Sequence, residues 1–416
     1  MKRIIIIAYY FSPGKTPTNR VKSWLDFFPQ LGYYPIILTR ATTGDDIGIT
    51  KVENGEIHRI KASPLFSERI ALKKIPSLLK LFLLKVYSMT IWTSKYDKTY
   101  QSFNQYFTEN LAKNGDRLLI TGSPFNLFKI GYNYSKRYSG DWIADYRDMW
   151  NLSDMPKFFD TYVEKLYRQT IALGIEKKWI NTASHITTVS DYLGEKLRRI
   201  TNTKVSIIEN GFFEAEHQHH INVKKNDVLS FVYIGSIYKT QQIDKCLHAL
   251  NEAFEKELTK GRFVFVGSSF SKKLRQFINN WDSDFLEIEI IPKVPKEQCL
   301  AIQTKCHLGI MCSYGAKGIP ASKLYEFLGM RQLVFLYPSD NDVIEDTLKK
   351  SGLGYCYSDY DSAVKGAREL IRKFNQFGKI EESPNQEFIN QFSRRNLVNK
   401  YVEEVLDEKK SIQLNG

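Results

Sequence analysis

Cysteine is scarce and poorly placed for crosslinks. The 416 residues include five: Cys246, Cys299, Cys306, Cys312 and Cys356. The number is odd, all lie in the second half, and none forms a Cys-x-x-Cys pair. That argues against a disulfide scaffold and for reduced thiols in a cytosolic protein. His217, His219 and His220 sit in a polar, aperiodic stretch that suits a solvated linker better than a metal site, and no metal is expected. Long hydrophobic runs are also missing. The opening MKRIIIIAYYF is only strand-length and ends in Ser-Pro-Gly, so it reads as a first strand rather than a leader. In residues 75–92 the apolar run is broken by Lys80 and Lys85, which makes a poor spanning helix. There is no low-complexity tract. Acidic residues fall short of basic ones, for a net charge of +13. The shortfall is local: residues 1–210 hold 31 Lys and Arg against 19 Asp and Glu, and residues 211–416 hold 28 against 27. A basic half points to an anionic partner, whether nucleic acid, membrane or a phosphorylated substrate.

What is present is a repeated alternation. Apolar residues make up 43% and aromatic residues 13%, ample for two cores in a chain too long for one. Strands are expected at 3–9, 34–39, 56–61, 117–122, 142–147, 185–190 and 205–210. Several are continuous apolar runs, as parallel strands covered on both faces require. Between the first two, Val21, Trp24, Leu25, Phe28 and Leu31 recur at helical spacing, with Gly32 as a stop. The rhythm restarts with strands at 229–235, 262–267, 286–291, 307–312, 332–337 and 353–357. The fold class is therefore α/β: two Rossmann-like doubly wound domains facing a central cleft. Residues 1–210 form the first domain, 211–227 a polar linker and 228–395 the second domain. Residues 396–416 form a C-terminal helix, with packing back on the first domain as one option. Ligands of such sheets bind beyond the carboxyl ends of the strands.

The stretch GIPASKLYEFLG, residues 318–329, follows one apolar run and precedes another. Pro320 fixes the entry, and Ser322 is a good N-cap. Lys323, Leu324 and Tyr325 would then offer first-turn N–H groups to an anion such as a phosphate. Glu326 falls one turn on, where a carboxylate can accept hydrogen bonds from a ribose diol. The plainer alternative is a capped helix with an acid favoured by its dipole.

This segment resembles the donor-site helix of retaining glycosyltransferases of the GT-B fold, specifically family 4, in which a Pro-Ser-Lys-Leu-Tyr-Glu-Tyr-Leu-like stretch occurs. The counterparts are Ala321 to Leu328, with Ser322, Lys323, Leu324 and Glu326 as donor-binding positions. The family's first acidic position falls on Gly318. The opening strand, loop and helix are also similar, and imply that Gly14 approaches the sugar or diphosphate while Arg20 faces the acceptor. Residues 231–250 resemble the first strand, loop and helix of the donor domain. Gly235, Ser236 and Lys239 are its donor-loop candidates, although the family's usual basic pair falls on Ser236 and Gln241. Lys245 lies further on.

TGSPFNLFKIG (121–131) and WIADYRDMW (142–150) resemble acceptor-side segments of a polysaccharide-building branch. Ser123 would touch the acceptor. Asp145, Arg147 and Asp148, the catalytic candidates, would orient its hydroxyl and balance a phosphate, unless they form a local ion pair that pins the loop. Lys73, Lys74, Lys80 and Lys85 flank apolar residues in a segment that suits an interfacial membrane contact or, alternatively, a core helix. The resemblance implies transfer of a sugar from a nucleotide-diphosphate sugar to a glycan or lipid-linked acceptor in surface polysaccharide biosynthesis, without cofactor or metal. The setting would be cytoplasmic and peripheral to the membrane. A sugar-nucleotide epimerase and a non-catalytic binding relative are the competing expectations. Nucleic acid is not an expected partner, because no binding module is present. The sequence does not fix the oligomeric state.

Overall fold

The computed structural model describes residues 1–11, 16–42, 44–65, 68, 76, 79–80, 83, 97–152, 162–216, 223–238 and 240–407; the side chains of 16, 17, 163 and 164 are excepted. The chain forms two compact units. One comprises Met1–Glu209 and Val398–Gly416, the other Asn210–Leu397.

The first unit is built on an eight-stranded sheet. Its strands are β1 (Lys2–Ala8), β2 (Tyr33–Arg40), β3 (Gly48–Val52), β4 (Gly55–Ile60), β5 (Arg117–Gly122), β6 (Trp142–Tyr146), β7 (His185–Thr188) and β8 (Val205–Ile207). They lie in the order β3-β4-β2-β1-β5-β6-β7-β8. All described pairings are parallel except β3 on β4. Ile4 to Ile7 are fully buried, because core packs on both faces of the central strand. One face carries Phe103, Phe128, Trp142 and Tyr146. The other carries Trp24, Phe28 and Tyr33, joined by Tyr401, Val402, Val405 and Leu406 from the far end of the chain. Tyr33 donates to Asp407 Oδ1 at 2.8 Å and closes that return. The edge strand β3 was not expected. All five of its residues are exposed, so it has no core-facing pattern to read.

The second unit has a six-stranded parallel sheet. It consists of β9 (Ser230–Ile234), β10 (Gly261–Val266), β11 (Leu286–Ile291), β12 (Leu308–Met311), β13 (Leu333–Leu336) and β14 (Gly354–Cys356). The order is β11-β10-β9-β12-β13-β14. The helix Ile243–Lys256 buries Ile243, Cys246, Leu247, Leu250, Ala253 and Phe254 at three- and four-residue spacing. The helix Tyr360–Phe377 packs beside it. Tyr360 donates to Glu252 at 2.7 Å, and Arg368 donates to Glu257 at 2.7 Å. Of the stretch expected as a linker, Phe212 enters the core of this unit and bridges to Ser393.

At the amino ends of β9 and β12, His307 Nδ1 accepts from the Ser230 N–H at 3.2 Å, which fits a neutral ring. Burial first, then the nearby Lys225, push the imidazole from its ordinary 6.5 down to about 4. The unfolded chain therefore takes up this proton first. The stability is complete above pH 6.5 and declines as pH falls toward 4, by about 3 kcal/mol at the acid end. Urea unfolding of wild type and His307→Asn between pH 7 and 4.5 should show this: the variant loses the extra acid-side decline. Parallel curves would contradict it.

Candidate functional site

In both sheets the chain winds outward in two directions from a central strand pair. In the second unit the reversal lies between β9 and β12, where open α/β sheets place their ligands. The loop after β9 begins with Gly235, whose φ of +86° is left-handed. A Cβ there would stand 3.4 Å from Lys323 Cε, so the loop backbone approaches that lysine closely. The loop after β12 leads to the helix Ser322–Gly329. Leu324, Tyr325, Phe327 and Leu328 bury one side of this helix, which leaves Ser322, Lys323 and Glu326 half-exposed. Lys323 Nζ donates to Glu326 Oε2 at 2.8 Å. Glu326 Oε1 and two of the three ammonium hydrogens have no partner among the described residues. A half-exposed pair of this kind contributes at most about 1 kcal/mol to folding, so its removal is a tolerable probe of binding.

Three expectations change here. The N-cap is Ala321, with no side-chain cap bond, and Ser322 is the first helical residue. Leu324 is fully buried and its N–H already donates to Ala321 O at 3.0 Å, so the Ser322 and Lys323 N–H groups form the tip. Gly318 has φ +67°, where a side chain would be strained, and its N–H donates to Asp342 Oδ2 at 2.5 Å. Ser236 is exposed. Gln241, by contrast, is a buried tie. Its Oε1 accepts from Tyr233 and the Tyr238 N–H, and its Nε2 donates to Cys312 O. Lys239 lies outside the described residues.

In the first unit the reversal lies between β1 and β5. Of the residues expected at the acceptor side, Arg20 and Asp145 form a buried pair, and Arg147 lies near enough to Asp145 and Asp148 to feel their charge. Arg20 is 3% exposed and Asp145 fully buried. Arg20 Nη2 donates to Asp145 Oδ1 at 2.7 Å, and its Nε donates to both oxygens of that carboxylate. Arg20 Nη1 donates to the carbonyls of Ile208 and Glu209, and Thr187 adds a hydroxyl donor to Asp145 at 2.7 Å. The anticipated local ion pair is therefore made by Asp145 with Arg20. Arg147 is half-buried and donates through Nε to Gly122 O at 2.8 Å. Burial pushes its guanidinium below the ordinary value, and Asp145 and Asp148 offset part of that. Asp148 is exposed and Ser123 half-buried at the end of β5.

A cluster that the sequence gave no reason to expect surrounds Glu68. Tyr9 donates to it at 2.9 Å, Arg40 at 2.5 Å and Tyr10 at 3.3 Å. Burial first, then Glu68, push the Tyr10 phenol up to about 12. Of the membrane candidates Lys80 is described, and its N–H donates to Pro76 O at 3.0 Å. Gly14, Lys73, Lys74 and Lys85 lie outside the described residues, as does the histidine trio. Among the described residues no helix is long and apolar enough to cross a membrane, and no group of three His, Cys, Asp or Glu side chains is placed to hold a metal.

The sequence matches no protein-family model and no curated protein. Solved structures do match over its whole length. The sucrose-phosphate synthase of Thermosynechococcus elongatus superposes with a TM-score of 0.60 at 14% identity, covering 100% of this chain and 98% of the other. The E. coli trehalose-6-phosphate structure bound with UDP-2-fluoro glucose gives 0.61 at 9%, covering 97% and 98%. The chain has the GT-B fold. A third GT-B structure, an α,α-trehalose-phosphate synthase (UDP-forming) from Burkholderia xenovorans in complex with glucose-6-phosphate, gives 0.59 at 8%, covering 97% and 99%. At these identities the likeness establishes the GT-B architecture alone.

Proposed function

We propose that the protein is a retaining glycosyltransferase that takes its sugar from a nucleoside-diphosphate sugar. The observation that carries this reading is the Lys323–Glu326 pair at the tip of the helix Ser322–Gly329, beside Gly235 at the strand reversal. The Ser322 and Lys323 N–H groups and the Lys323 ammonium meet the diphosphate, while Glu326 Oε1 accepts a ribose hydroxyl. An acceptor hydroxyl attacks the anomeric carbon on the leaving-group face, the bond from that carbon to the diphosphate oxygen breaks, and the hydroxyl proton passes to the departing diphosphate. The leaving charge falls where the donors already point. This arrangement supplies phosphate neutralisation from the protein, so turnover in EDTA is expected to equal turnover with magnesium.

The acceptor in this reading is a glycan or lipid-linked sugar, supported by the basic surplus of residues 1–210. The same surplus suits a sugar phosphate, and the Burkholderia xenovorans structure is a complex with glucose-6-phosphate. The test is incubation of the full chain with radiolabelled UDP-, GDP- and ADP-sugars against membrane lipid extract and against glucose-6-phosphate, followed by product analysis. A parallel melt with each nucleoside diphosphate should show a stabilisation of about 2.7 kcal/mol at a hundredfold excess over Kd for at least one nucleotide. No stabilisation with any of them would overturn the donor assignment.

A further inference from the structure

Several polar side chains of the second unit, none of them from the Lys323–Glu326 pair, line one cavity. It measures about 450 Å³, within the range of small-molecule sites. It lies where the helices Ile243–Lys256 and Tyr360–Phe377 begin, at the carboxyl end of β13. Gln242 and Lys245 line it, with Tyr337, Pro338, Asp359 and Tyr360. Gly235, Ser236, Lys323 and Glu326 do not. Tyr337 is 3% exposed, yet its hydroxyl makes no hydrogen bond among the described residues. The ring is packed away while the hydroxyl, which is not among the buried unpartnered atoms, is left to a ligand or to solvent in the cavity. Gln242 starts its helix without a side-chain cap bond, and Lys245 has no ion-pair partner among the described residues.

The other lining residues are held in place. Tyr360 spends its hydroxyl on Glu252 and so presents its ring. Asp359 accepts from the Ser362 N–H at 2.8 Å and from the Ser362 hydroxyl at 2.7 Å, which fixes its carboxylate with lone pairs to spare. Burial first, then Cys246 and Asp359, raise the Tyr337 phenol above its ordinary value, so it stays a donor.

We propose that this cavity is a saccharide-binding pocket, separate from the nucleotide site. The charge balance disfavours an anion, since Lys245 is answered by Asp359, and Asp244 and Asp361 sit in the first turns of the two helices. Two tyrosine rings and a proline offer flat apolar surface to the C–H face of a pyranose. The amide, ammonium, phenol and carboxylate supply the mixed donors and acceptors that sugar hydroxyls need. The inference stands apart from the donor assignment: it requires a second sugar unit to be held by the second unit, whatever nucleotide that unit takes.

Saturation-transfer NMR on the full chain, with maltose, cellobiose, lactose and methyl α-mannoside as probes, tests it. At least one should bind saturably in the millimolar range. Tyr337→Phe should weaken that binding about five- to tenfold through the lost hydrogen bond without lowering thermal stability, because that hydroxyl makes no hydrogen bond to the described residues. Lys245→Ala should weaken it further. Glu326→Ala should leave saccharide binding intact and reduce only nucleotide binding, so the two sites fail separately. The proposal is overturned if none of the four sugars binds saturably or if inorganic phosphate competes with the sugar. It is overturned equally if Tyr337→Phe and Lys245→Ala bind as wild type, or if Glu326→Ala abolishes sugar binding.

Discussion

Lys323→Ala is expected to weaken nucleoside-diphosphate binding by ten- to a hundredfold and to lower turnover by at least as much. A hydrogen bond to a charged group is worth about 1.5–3 kcal/mol, and the lysine meets the group whose charge grows as the sugar leaves. Glu326→Ala separates the two halves of the ligand. It removes the ribose acceptor, so it should weaken a nucleoside diphosphate while leaving inorganic pyrophosphate nearly untouched. Lys323→Ala should weaken both. Titration calorimetry with the two ligands on the two variants gives four numbers that a merely structural pair would leave unchanged. Equal affinity of Lys323→Ala and wild type for the preferred nucleotide would remove the site from this helix.

Arg20→Ala is expected to destabilise the first unit by about 3–5 kcal/mol, because it strands the fully buried Asp145 carboxylate with Thr187 as its one remaining side-chain donor among the described residues. The Ile208 and Glu209 carbonyls lose a donor in the same step. For a unit of this size the loss lowers the melting temperature on the order of 10 °C. Asp145→Asn should be milder, since it keeps the shape and leaves Arg20 its carbonyl partners. Scanning calorimetry decides the matter, and a loss under about 1 kcal/mol for Arg20→Ala would contradict a load on this ion pair. The outcome separates architecture from chemistry for a residue whose sequence position suggested the acceptor side.

Much of the molecule was legible because its strands are apolar runs. Thirteen of the described strands overlap the segments expected from sequence, and the missed one, β3, turns every residue to solvent. The helix Ser322–Gly329 was equally legible, since buried Leu324, Phe327 and Leu328 give it an apolar side. Its first turn was not. Which residue caps a helix is settled by backbone angles, and Ala321, extended at φ −65° and ψ 134°, takes the place assigned to Ser322. Gly318 read as a lost acid, whereas its left-handed backbone shows a conformational need that no residue list conveys. The partner of Asp145 was hidden because Arg20 lies 125 positions away. The Tyr337 cavity was hidden for a similar reason: its lining comes from the ends of β13 and β14 and the start of a helix after β9.

The path of the chain has a consequence for how the protein is made. The first unit needs Tyr401, Val402, Val405 and Leu406 beneath Trp24 and Phe28, and those residues come after the whole of 210–397. A ribosome delivering the chain from its amino end releases the second unit before the first can close its core. An N-terminal fragment ending at Glu209 therefore exposes an apolar face that Tyr401, Val402, Val405 and Leu406 cover in the full chain. During synthesis that face is a natural client for a chaperone, and a truncation that removes residues 398–406 injures the unit at the opposite end of the sequence.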